Sequence, residues 1–108
     1  MFKKCTQIHV DQLVQVDRCE INDENGQRMV YELHHGQEVT VIRFQKGSPS
    51  LDGVNGVTNE ALIAVLLDRL KSVQAVLPCL ENEGALEGLN VAMRSLRARA
   101  ERLSTQSS

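Results

Sequence analysis

The apolar residues of this chain change period once, and that change restricts what the chain can fold into. Residues 1–46 run in period two. "TQIHV" sets Ile8 and Val10 against polar neighbours, and "LVQVDRCEI" continues with Val14, Val16, Cys19 and Ile21. "RMVYEL" follows, and "VTVIRF" sets Val39, Val41 and Arg43 against Thr40, Ile42 and Phe44. Side chains that alternate in this way belong to strands with one buried face. Asn25-Gly26 marks a tight hairpin, because both residues tolerate positive φ, and "HHGQE" marks a second turn. An antiparallel β-meander of about four strands is expected.

From residue 58 the period is helical. Thr58 stands as an N-cap before Asn59 and Glu60, and Ile63, Leu66, Leu70, Val73 and Leu77 follow at spacings of three and four. Leu62 and Leu67 widen that stripe. Pro78 breaks the helix, because it lacks an N–H and restricts the residue before it. A second stripe starts near Glu81 and runs through Leu86, Leu89, Met93, Leu96, Ala100 and Leu103. The expected fold class is therefore α+β, one compact domain in all. A sheet region over 1–46 and a Gly-rich connection over 47–57 precede an antiparallel αα-hairpin over 58–103 and a flexible polar tail over 104–108. Apolar surface left on the hairpin can cover the sheet or a second copy of the chain, so a homo-oligomer, at least a dimer, is expected.

Charge narrows the partners. With 12 basic and 14 acidic residues and a net charge of -2, indiscriminate binding to duplex nucleic acid is not expected. The N-terminal lysines precede no apolar stretch, and the longest apolar run, "ALIAVLL", is far short of the roughly 20 residues that span a bilayer. No signal peptide and no membrane span are expected. Cys5, Cys19 and Cys79 have no CxxC spacing, which fits a reducing, cytoplasmic setting with the cysteines as small apolar fillers.

Three places carry possible chemistry. "DGVNGVTNE" opens a helix, and helix N-termini expose N–H groups that hold anions. The same glycines equally serve a plain connector that supplies positive φ before Thr58. Arg94 and Arg97 share one helix face, with Arg99 and Arg102 beside them, and guanidinium forks suit phosphate or carboxylate. A solvated helix face accounts for them as well. His34 and His35, adjacent in a strand, point to opposite faces, so no metal site is expected. No signature marks an activated nucleophile, and an enzyme is not expected.

"VTVIRFQKGSPSLDGVNGVTNEALIAVLLDRL" followed by "PCLENEGALEGL" resembles a family of small phage and prophage proteins. Val54-Asn55-Gly56, Asn59-Glu60, Asp68-Arg69-Leu70, Cys79 and Glu81-Asn82 match its motifs in order, over about residues 39–103. The likeness is to the helical-hairpin domain shared by anti-CBASS and Thoeris anti-defence proteins. Leu80 stands where that family carries a basic residue, and Ser104–Ser108 replace its closing stretch.

The resemblance implies a non-enzymatic sponge, without cofactor, that sequesters cyclic oligonucleotide or cyclic ADP-ribose signals and so blocks bacterial defence. It implies Phe44 for stacking, Asn55 and Asn59 for base or ribose groups, and Arg69, Arg94 and Arg97 for phosphates. It also implies a pocket between subunits of an oligomer, with a hexamer among the assemblies open to it. The competing expectation is a structural or regulatory interaction module with no small-molecule ligand.

Overall fold

The structure, a computed structural model, describes residues 2–23 and 26–106. The chain forms two compact units, Met1–Val57 and Thr58–Ser108. The first holds strands β1 (Phe2–Val10), β2 (Val14–Asp23), β3 (Gly26–His35) and β4 (Glu38–Arg43), then a one-turn helix α1 (Pro49–Asp52). The second holds α2 (Asn59–Val76) and α3 (Leu80–Gln106). The α+β class and the four-stranded antiparallel sheet followed by helices are as the periodicity indicates, with strand order β1-β2-β3-β4.

Turn chemistry sets the register. At the first turn the Asp11 carboxylate accepts from the backbone N–H groups of Leu13 (2.8 Å) and Val14 (2.9 Å), while His9 lies 2.9 Å from its other oxygen. The His9 contact first, and the two backbone donors after it, hold the Asp11 carboxyl down to about 2. Asp23 pairs with Gly26 at the second turn. Asn25, half of the hairpin signal, lies outside the described residues, and Gly26 has φ 96°. At the third turn Gly36 has φ 59° and Gln37 does not have positive φ, the pattern of a type II′ turn.

β1 carries a bulge: Gln7 faces Asp17 and His9 faces Val16, which leaves Ile8 as the extra residue. Beyond the bulge Cys5 sits directly opposite Cys19, and the two form a disulfide. This corrects the expectation that these cysteines are reduced fillers. Spacing along the chain carried no sign of the pair, because only the register brings them together. β2 also departs from a single buried face. Val14 and Val16 share one side, whereas Cys19 and Ile21, at odd spacing from them, occupy the other. Among the described residues, Cys19 and its cross-strand partner Val30 are the fully buried side chains of the sheet.

In the helical unit Thr58 caps α2 as expected, its hydroxyl accepting from Ala61 N–H at 3.1 Å. The apolar stripe of α2 is rotated from the expected one. Leu67 is the buried residue (8% exposed) and Leu66 is half exposed (49%). A helix places i+3 and i+4 on one side of residue i, and Ile63 therefore left both leucines eligible. On α3 Met93 is buried, as its stripe indicates, and α2 packs against α3.

The two helices are joined by Leu77–Cys79, and the Gln74 side chain fastens this turn. Its amide nitrogen donates to Cys79 O (3.2 Å) and its oxygen accepts from Cys79 N–H (3.0 Å). α3 continues to Gln106, past the expected start of the tail at 104, since no Gly or Pro stops it. Among the described residues no helix is long and apolar enough to cross a membrane.

Candidate functional site

The stretch after β4 is built by two side-chain amides acting as substitutes for peptide groups. Gln45 donates to Gly53 O (2.8 Å) and accepts from Asn55 N–H (3.0 Å). Asn55 donates to Lys46 O (2.9 Å) and accepts from Lys46 N–H (2.8 Å). Between them Val57 N–H bonds to Arg43 O and Gln45 N–H to Val57 O, so Phe44 and Val57 make a parallel bridge. Gly56 lies against β4 so closely that a Cβ there would stand 2.4 Å from the Phe44 carbonyl carbon and 2.6 Å from Arg43 O. The loop therefore needs glycine at 56 for a backbone-to-backbone approach.

This joint leaves two adjoining depressions. One, of about 450 Å³, is lined by Glu20, Arg28, Met29, Phe44, Gln45 and Lys46. The other, of about 350 Å³, is lined by Arg28, Lys46, Gly47, Asp52 and Asn55. Arg28 and Lys46 border both. One Arg28 terminal nitrogen donates to Asn55 O at 3.3 Å, while its Nε is buried without a hydrogen-bond partner. Of the two nearby carboxylates, Asp52 is already engaged by Ser48 N–H at 3.0 Å. The Phe44 ring meets Tyr31 edge-on, with centroids 5.6 Å apart, which fixes its orientation. A cleft bordered by a guanidinium group, a lysine and a held aromatic ring suits an anionic ligand that carries a planar group.

The residues expected to bind ligand fall into two sets. Phe44 and Asn55 belong to the sheet unit and border the adjoining depressions. The Asn55 side chain is occupied by Lys46, and its backbone N–H and carbonyl are engaged by Gln45 and Arg28, so Asn55 builds the loop. Asn59, Arg69, Arg94 and Arg97 belong to the helical unit and are exposed. Asn59 is the first residue of α2. Arg69 borders a shallow groove with Ala64, Val65, Asp68 and Ser72. Arg97 borders another with Asp68, Lys71 and Asn90 over the buried Leu67 and Met93. Arg28 and Lys46 were not among the expected residues. Lys46 sits in the quoted "FQKG", but Arg28 comes to it only through the pairing of β2, β3 and β4. Set against known proteins, the chain matches no family model and no curated protein sequence.

Proposed function

We propose that this protein is a non-enzymatic binding module that captures an anionic, base-bearing small molecule of the cyclic nucleotide class. The observation that carries the reading is the Arg28–Lys46 cleft with Phe44 on its wall. Arg28 and Lys46 border both adjoining depressions, and guanidinium and ammonium groups suit phosphate oxygens. In the finer form of the proposal, α2 and α3 are an antiparallel hairpin of the anti-defence type, and the chain works as a homo-oligomer. It sequesters cyclic oligonucleotides or cyclic ADP-ribose isomers and leaves them chemically intact.

Thermal denaturation against cyclic di- and trinucleotides and cyclic ADP-ribose isomers tests this. A ligand at 100 times its dissociation constant stabilises the native state by about 2.7 kcal/mol. One ligand class is expected to raise the melting temperature, and Arg28→Ala or Phe44→Ala is expected to remove the shift. Recovery of the ligand unchanged after denaturation separates capture from turnover. No shift with any of them sinks the proposal.

A second reading, an interaction module, has its own support. Val76, Leu77 and Leu80 at the helix junction are 77%, 73% and 81% exposed, an apolar cluster of the kind that partner surfaces cover.

A further inference from the structure

On the sheet, away from the Arg28–Lys46 cleft, three side chains that the sequence did not connect converge. Asp17 on β2 faces Glu32 on β3, and His34 lies two residues along β3 on the same face. Their ligand atoms all lie within 4.8 Å of one another. His34 Nε2 is 3.4 Å from Asp17 Oδ2 and 3.4 Å from Glu32 Oε1. It has no accessible surface and no hydrogen-bond partner, although the ring as a whole is partly exposed. An imidazole nitrogen aimed between two carboxylate oxygens, yet bonded to neither, is a costly arrangement if nothing else occupies it.

The spacing has a natural occupant. Zinc binds nitrogen and oxygen at roughly 2.0–2.1 Å, and the edge of a tetrahedron of that radius is about 3.3–3.4 Å. That is the separation His34 Nε2 keeps from each carboxylate oxygen. The outer oxygens are held from behind, as in metal sites generally. Gln15 Nε2 donates to Asp17 Oδ1 at 3.0 Å, and Lys3 pairs with Glu32 Oε2 at 2.6 Å. These contacts turn Asp17 Oδ2 and Glu32 Oε1 toward the imidazole.

Cys5 and Cys19 lie beside Glu32, but as a disulfide they offer no thiolate, so the donor set is two oxygens and one nitrogen. Such a set suits a divalent first-row ion, with water or an added ligand in an open position.

We infer that Asp17, Glu32 and His34 form a binding site for a divalent transition-metal ion of the zinc type. The site is independent of the nucleotide-capture reading. The competing account is that His34 meets the two carboxylates directly, with no ion between them.

The test is titration with Co²⁺, followed by displacement with Zn²⁺. It uses the full, untagged, disulfide-intact chain in a Cys79→Ser background, which removes the free exposed thiol. One equivalent of Co²⁺ is expected to bind with a visible d–d absorption. His34→Gln and Asp17→Asn should each weaken it about tenfold or more, and His35→Ala, on the opposite face, should leave it unchanged. Far-UV circular dichroism checks that each variant is folded. If a variant fails to fold, Mn²⁺ line broadening in the unsubstituted protein replaces it. Broadening centred on residues 17, 32 and 34 supports the site, and broadening elsewhere overturns it. Absence of the d–d band, or equal binding by wild type and His34→Gln, also overturns it.

Discussion

A single glycine decides whether the chain after β4 can fold back. A Cβ at position 56 would meet the Phe44 carbonyl carbon at 2.4 Å, and peptide atoms cannot step aside as a side chain does. Gly56→Ala is expected to cost about 1–3 kcal/mol and to break the Phe44–Val57 bridge, measured by denaturant unfolding and by hydrogen exchange at Val57. The sequence marks this glycine as unusual but not why, since the reason lies on another strand.

Asp11 is the residue whose ionisation the fold changes most clearly. The His9 contact and two backbone N–H donors lower its carboxyl to about 2, so the folded state favours the carboxylate. Its contribution is complete above the ordinary carboxylate value and fades as pH falls from about 4. Carboxyl carbon shifts should titrate with a midpoint near 2, and Asp11→Asn should remove that limb of the acid stability profile. An ordinary midpoint would refute the account.

At the scale of elements, the helices and strands were legible and their rotations less so. The spacing of α2 put Leu66 on the main stripe and Leu67 at its edge, and packing against α3 selected Leu67. Leu67→Ala is expected to cost about 2–5 kcal/mol, against about 1 kcal/mol or less for the half-exposed Leu66. Equal losses in paired melts would restore the stripe that the sequence suggests. In the sheet, the apolar residues of β2 switch parity between Val16 and Cys19, so a one-faced strand could not be read correctly from alternation alone. The bulge matters most. Without Ile8 as an extra residue, the Val10–Gln15 pairing would extrapolate to Cys5 opposite Glu20, and the disulfide could not form. A bulge leaves little trace in a sequence, and neither the disulfide nor the Asp17–Glu32–His34 group was visible without the register.

The two units are fastened by different means. The helical unit relies on apolar contact around Leu67 and Met93 and on the Gln74 clamp. Among its described residues the sheet unit buries Cys19 and Val30 fully, and it adds a covalent link across its first two strands. Closing the 14-residue separation from Cys5 to Cys19 restricts the unfolded chain by about 3 kcal/mol on a chain-entropy basis. Reduction, or Cys5→Ser, should lower the unfolding midpoint followed by circular dichroism and speed amide exchange in β1 first. A midpoint indifferent to reductant would show that the link adds nothing to the sheet's stability.

The amide clamp on the loop also keeps time. An asparagine followed by glycine is chemically fragile, because the next peptide nitrogen can attack the side-chain carbonyl and release ammonia. At Asn55-Gly56 both ends of the side chain are bound to Lys46, so the ring-closing approach waits for the loop to open. Loss of ammonia from Asn55 therefore records how often this joint comes undone. Water then opens the cyclic imide, and each event leaves a carboxylate that can no longer donate to Lys46 O. The change is irreversible and places negative charge beside Arg28, so an old molecule carries a weakened cleft that a fresh one lacks.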